Sequence, residues 1–339
     1  MSPQFVDFDA DGRLDIVAGT FDGSPRLVRG TDKGWGQLEQ ILDREGNRIV
    51  LNRFWNLDTK TWDTTKRHDA KGHEGEGHLT SAIAFDLDGD GDLDLLLGDY
   101  CGGGIYVRRN EGTRQKPAFA TTNERLLADG KPIDVAGTVA TLRPVDWNRD
   151  GRMDLACSSM GDPYTGAGDG GGVVVYLDTG EHAAAEFGAP ITLLERSKKG
   201  AVEPTRPDSA IYMDFGDHDG DGDLDMIVGG YSFLTPKPVA LTDAQQRRAA
   251  ELEAAIAALE LKLDALSKSI EDAVKDLDEQ AAEKKREQLF EAKSAEFRAL
   301  GKQQQALQDE LEPLAPGTKR ESYVWLYENR AAEAAAGRK

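Results

Sequence analysis

The phrase Asp-x-[Asp/Asn]-x-Asp-Gly-x-x-Asp occurs four times in this 339-residue chain, opening at Asp7, Asp86, Asp146 and Asp217. Nine residues with three to five carboxylates around a fixed glycine suit neither a helix nor a strand interior, so each copy is a tight turn. Short apolar runs enter the turns at 4–8, 82–85, 142–145 and 211–215, and others leave them at 16–18, 95–97, 155–157 and 226–228. Runs of three to five apolar residues bounded by Asp and Gly suit buried strands better than helices.

The copies recur every roughly 60 to 80 residues, the length of a four-stranded unit. A third strand is expected at 26–28, 105–107 and 173–176, and a fourth around an aromatic residue followed seven positions later by leucine: Trp35 with Leu42, Phe119 with Leu126, Phe187 with Leu194. Four antiparallel strands repeated at this period predict propeller blades, whose stacking limits exposed edges. The loops and the literal Phe187-Gly188-Ala189-Pro190 resemble the FG-GAP/VCBS repeats of integrin-α-like propellers and bacterial surface proteins, over residues 4–233 and 322–330. The resemblance implies a mainly β fold, a calcium-binding propeller of about four blades, and adhesion-like extracellular roles.

The residues of each loop make their own case for a metal. Positions 1, 3 and 5 can turn oxygens to one centre, glycine at 6 permits the turn, position 7 offers a carbonyl, and Asp at 9 closes a cage of about six hard oxygens, which suits Ca²⁺. The expected ligands are Asp7, Asp9, Asp11, Arg13 and Asp15; Asp86, Asp88, Asp90, Asp92 and Asp94; Asp146, Asn148, Asp150, Arg152 and Asp154; and Asp217, Asp219, Asp221, Asp223 and Asp225. Arg13, Asp92, Arg152 and Asp223 would contribute carbonyls. Asp214 offers the fourth loop a second frame, but only the frame from Asp217 keeps glycine at position 6. The third loop, with Asn148, is one charge poorer and should be the weakest site. No Glu stands at position 12, so up to four Ca²⁺ are expected without an EF-hand. The alternative is a set of solvated Asx-turns, against which four copies in register weigh heavily.

Residues 244–312 contain a single glycine and abound in Ala, Leu, Glu, Lys and Gln. From Leu252 the apolar positions Ile256, Leu259, Leu263, Leu266, Ile270, Ala273 and Leu277 alternate steps of four and three, a heptad seam. Thr242 with Gln245 makes a capping-box start, and a second seam from Phe290 to Leu314 runs in another phase until Pro313 and Pro316. One helix of about 70 residues would span roughly 105 Å and could not return the chain to an adjacent strand. Two antiparallel arms can, so a coiled-coil hairpin at 241–317 is expected within the fourth blade. The propeller then covers 1–240, the returning strand 318–332, and a disordered tail 333–339. The hairpin either buries only itself or serves as a docking arm, including for self-association.

A net charge of −20 excludes the basic footprint that nucleic acid requires. No apolar run reaches the ~18 residues of a membrane helix. Met1 is followed at once by a strand pattern rather than a signal peptide, so an extracytoplasmic protein needs its export signal upstream. Cys101 and Cys157 are too few for a disulfide framework and are expected as separate thiols. His68, His73 and His78 share one Gly-rich loop that is either a solvated loop or a weak second metal or catalytic site, and Trp55 with Trp62 either offer a carbohydrate platform or cover the propeller's edge. No nucleophile constellation or phosphate loop is visible. The expectation is a binding module for a protein or glycan and not an enzyme; the alternatives are a metal-assisted polysaccharide hydrolase or lyase, or a structural part of a surface assembly.

Overall fold

The computed structural model describes residues 3–56, 58–64, 66–67, 78–100, 102–161, 169–180 and 184–330. His68, His73, Cys101 and the tail 333–339 lie outside the described residues. Among the described residues the chain is mainly β, with two helices and several sheets, none of which closes on itself.

Four sheets follow one plan. The first runs through Gln4–Val6, Asp15–Gly19, Pro25–Thr31 and Gly34–Gln40, each strand antiparallel to the next. The second uses Leu79–Phe85, Asp94–Asp99, Ile105–Arg108 and Thr122–Arg125, with Lys66–Arg67 added in parallel at its edge. The third uses Thr141–Val145, Asp154–Ser158, Val173–Asp178 and Phe187–Leu194, extended by Leu127–Ala128 and Lys131–Pro132. The fourth has three strands, Ser209–Gly216, Asp225–Leu234 and, after both helices, Lys319–Tyr327. In every sheet an Asp loop joins the first strand to the second. Phe119 departs from the expected pattern: the fourth strand of the second sheet begins after it, and its buried ring lies 6.3 Å from that of Phe8 between the first and second sheets.

Side chains alternate across a strand, and in the second and third sheets both sides are covered. On each second strand the residue two places after the closing Asp packs toward the following sheet, as Val17, Leu96 and Ala156 do. Its neighbours pack toward the preceding sheet, as Leu95 and Leu97, Leu155 and Cys157, and Met226 and Val228 do. This is why the exit runs are apolar at consecutive positions rather than alternating. A leucine buried this fully contributes about 2 kcal/mol. Cys157 is a free, buried thiol, and burial pushes its pKa far above the usual thiol range.

The helices, with residues Asn56–Trp62, form a second compact unit. Helix α1 is Asp243–Val274 and helix α2 is Glu279–Leu311. Both halves of the Thr242/Gln245 capping box are made, and the Asp278 carboxylate accepts from the Ala281 N–H to start α2. The helices run antiparallel, since Arg248 pairs with Glu310 at 2.8 Å, Gln304 bonds Glu260, Lys293 bonds Ser269 and Arg286 pairs with Glu271 at 3.0 Å. Leu252, Ile256, Leu259, Leu266 and Ile270 are buried as the first seam predicts, but the stripe ends on Val274, and Leu277 is exposed. No residue of α2 is buried. Phe290 and Phe297, two turns apart, stack on each other at 5.7 Å.

Candidate metal centres

The four loops share one backbone design. The carboxylate at position 1 accepts the N–H of the glycine at position 6 in three of them, Asp7 from Gly12, Asp86 from Gly91 and Asp146 from Gly151, at 3.0 to 3.1 Å. Asp217 instead accepts from Gly220 at 2.8 Å. The carboxylate at position 5 accepts the N–H of position 7 in all four: Asp11 from Arg13, Asp90 from Asp92, Asp150 from Arg152 and Asp221 from Asp223, each at 2.9 Å. Gly12, Gly91, Gly151 and Gly222 have φ of 86°, 92°, 87° and 98°. A Cβ at the first three would meet nothing within 4 Å, so glycine is required for its backbone conformation and not for space.

Position 4 is left-handed as well, at Ala10, Gly89, Arg149 and Gly220. Ala10 and Arg149 hold φ of 58° and 59° where an L side chain costs about 1 kcal/mol or more. Sequence reasoning missed this position because two of its four residues are not glycine.

Position 9, expected to close a cage, joins a carboxylate cluster in the first loop, as Asp15, but not in the second or fourth. Asp15, Asp94, Asp154 and Asp225 are all buried. One oxygen of each accepts a backbone N–H from the end of the third strand: Gly30, Asn110, Asp178 and Asn329, at 2.7 to 2.8 Å. In three loops the other oxygen accepts the N–H of position 2: Phe8, Trp147 and His218. In the second loop it takes the Arg109 guanidinium at 2.9 Å. The closing Asp therefore clamps the loop to the third strand. In the fourth sheet that strand is the one returning after the helices, and the N–H groups of Asn329 and His218 hold the Asp225 carboxyl below the usual range.

Three loops bring three carboxylates together, with oxygens within 4.8 Å of one another: Asp7, Asp9 and Asp15; Asp86, Asp88 and Asp90; and Asp217, Asp219 and Asp221. Oxygens about 2.3–2.6 Å from a shared centre lie at most about 5 Å apart, and the three clusters fall within that bound. In the first loop Asp11 is turned away, paired with Arg13, which also holds Asp32. In the third, Asn148 replaces a carboxylate and donates to Asp150, which also pairs with Arg152. Two buried oxygens, Oδ1 of Asp9 and Oδ1 of Asp146, have no hydrogen-bond partner. Each stands at an expected ligand position, where a cation would satisfy it.

Arginines that sequence reasoning did not single out reach the first two loops. Arg29 pairs with Asp9, and Arg109 lies between Asp94 and Asp88, at 2.9 and 3.7 Å. Both immediately precede the residue whose N–H binds the closing Asp; Leu177 and Glu328 hold that position in the other two sheets.

The second loop is the most crowded. Burial, then the charges of Asp90, Asp94, Asp88 and Asp86, raises the Asp92 carboxyl from 3.8 to about 6. A carboxyl raised on folding favours the folded state below its unfolded value and loses that contribution as pH climbs through the folded one. With metal removed, Asp92 should therefore lower the melting temperature progressively between about pH 4 and about pH 6. Melts across this range in chelator, wild type beside Asp92→Asn, check it: the variant should lack that component.

Of the histidines expected as a second site, His78 alone is described. Its ring stacks on Phe21 at 4.0 Å, stands edge-on to Tyr100, and its Nδ1 lies 2.5 Å from the Phe21 carbonyl oxygen. Trp55 is buried and so is not an open carbohydrate platform. No helix among the described residues is long and apolar enough to cross a membrane.

Comparison with curated proteins finds no match. Residues 86–157, the span from the second Asp loop into the second strand of the third sheet, match the family model of the FG-GAP-like repeat.

Proposed function

We propose that the chain is a calcium-stabilised β-propeller-type module, its four sheets acting as blades, that binds a protein or glycan outside the cytoplasm and is not an enzyme. The observation that carries this reading is the convergence of three carboxylates at 4.8 Å or less in three loops of one repeat. The FG-GAP-like repeat, a type common in extracellular binding and adhesion proteins, supports the module and its compartment. Calcium supplies charge neutralisation and cross-linking of the loop; Asp7, Asp9 and Asp15, Asp86, Asp88 and Asp90, Asp146 with Asn148 and Asp150, and Asp217, Asp219 and Asp221 would hold it. Up to four ions would place eight positive charges against a net charge of −20. The antiparallel helices would be a coiled-coil arm inserted in the fourth blade.

Nine-residue loops without a bidentate Glu belong to the weak range of calcium sites, about 10⁻⁴ to 10⁻³ M, which suits extracellular calcium. Titration calorimetry should give several sites in that range, with one fewer in Asp88→Ala. An unchanged stoichiometry would remove the second loop from the set, and constants at or below ~1 µM would remove the argument for an extracellular setting. A glycan and protein array read with and without calcium tests the binding role, and product formed from a polysaccharide panel would point to an enzyme instead.

A further inference from the structure

The outer faces of the first and fourth sheets carry exposed apolar side chains. Within the chain every interface between sheets follows one rule: each sheet presents the side chain two places after its closing Asp, together with two from its third strand, to the sheet that follows. The second sheet presents Leu96, Val107 and Ile105, and the third presents Ala156, Val175 and Val173; all are buried. The fourth sheet carries the same set. Counting back from the residue whose N–H binds the closing Asp, Ile227, Leu326 and Val324 hold the same positions. Tyr327 packs toward the third sheet, so strand alternation turns Leu326 and Val324 the other way, with Ile227. Among the described residues these three stay open, with Ile227 38%, Leu326 41% and Val324 74% exposed.

The first sheet has the converse face. One cross-strand row, Phe5–Ile16–Val28–Leu38, spans all four strands on the side that receives a preceding sheet in the others. It too is open: Phe5 is 59% and Leu38 65% exposed, and Trp35, its ring tilted 50° against that of Phe5 at 6.0 Å, is exposed beside them. A stack of like units has terminal faces complementary to each other, because each is half of an interface the stack already makes internally.

We infer that a second copy of this chain covers both faces, the fourth sheet of each copy docking on the first sheet of the other. Two such contacts related by a two-fold axis close a ring, whereas a head-to-tail joint that fails to close gives filaments. Two sets of four sheets make eight blades, at the top of the roughly four-to-eight range usual for propellers. The inference rests on the stacking rule and not on calcium. Apolar rows on both terminal faces are otherwise an aggregation hazard that soluble proteins avoid.

Sedimentation equilibrium of the wild-type chain, with calcium present, should give a closed dimer. Leu38→Lys, on the receiving face, and Val324→Glu, on the presenting face, should each yield a folded monomer with unchanged circular dichroism, since both side chains are mostly exposed in one copy. Mixing the two variants should restore a dimer, because one joint is then wild type on both sides and the other pairs Lys with Glu. A like-to-like contact would not be rescued in this way. A wild-type monomer, an open series of larger species, a dimer that survives either substitution, or variants that stay monomeric when mixed would overturn the inference.

Discussion

Transfer from chelator into saturating calcium should raise the melting temperature by about 20 °C or more, the largest change expected for this protein. A ligand that binds only the native state adds RT ln(1 + [L]/Kd), about 2.7 kcal/mol per site at a hundredfold excess over Kd. Three or four sites in separate loops act nearly additively and together contribute about 8–10 kcal/mol, comparable with the whole stability of an ordinary domain. At about 2–4 °C per kcal/mol for a domain of this size, the shift exceeds any single substitution. Differential scanning calorimetry over a calcium series measures it, with magnesium as control because that ion demands a tighter octahedron and sheds its water reluctantly. Identical melts in chelator and in millimolar calcium would sink the metal assignment.

Asp154→Ala should destabilise the protein by about 2–5 kcal/mol even in chelator, and Asp88→Ala should not. The Asp154 carboxylate is fully buried and accepts the N–H groups of Trp147 and Asp178 at 2.9 and 2.8 Å. Removing it leaves both donors without a partner, at about 1–3 kcal/mol for each. Asp88 is exposed, and its charge adds to the crowding that raises Asp92. Its loss should cost calcium binding while leaving the metal-free protein unchanged or slightly more stable. Chemical denaturation of both variants in chelator separates clamp from ligand. Equal stabilities would mean that position 9 serves only the cation.

Much of this was legible in the sequence because the Asp loops punctuate it. Gly12, Gly91, Gly151 and Gly222 mark the turns, and the apolar runs beside them mark strands covered on both faces. The return of the chain to a third strand after the helices was legible too, since Val324-Trp325-Leu326-Tyr327 is a continuous apolar run like those at 105–107 and 173–176. Less visible was whatever depends on partners far along the chain. The clamp by Asp15, Asp94, Asp154 and Asp225 joins residues 15 to 104 positions apart, and spacing within the loop carries no trace of it. Arg29 and Arg109 reach their loops from the neighbouring strand, so they read in sequence as ordinary surface charges. Phe119 has the aromatic-plus-leucine spacing of a strand, yet it sits before the strand because its ring fills space between two sheets.

The bond from the Asn329 N–H to Asp225 also sets an order of events during synthesis. The edge of the strand Asp225–Leu234 is made long before its partner, because everything from 235 to 318 must be translated first. At about 5–20 residues per second the ribosome takes on the order of ten seconds over that stretch. A helical segment of this kind forms within about a microsecond of emerging, so both helices can be complete while the fourth sheet still has an unpaired edge. That interval, rather than any property of the finished molecule, is when the nascent chain is most open to strand pairing with a neighbour on the same polysome.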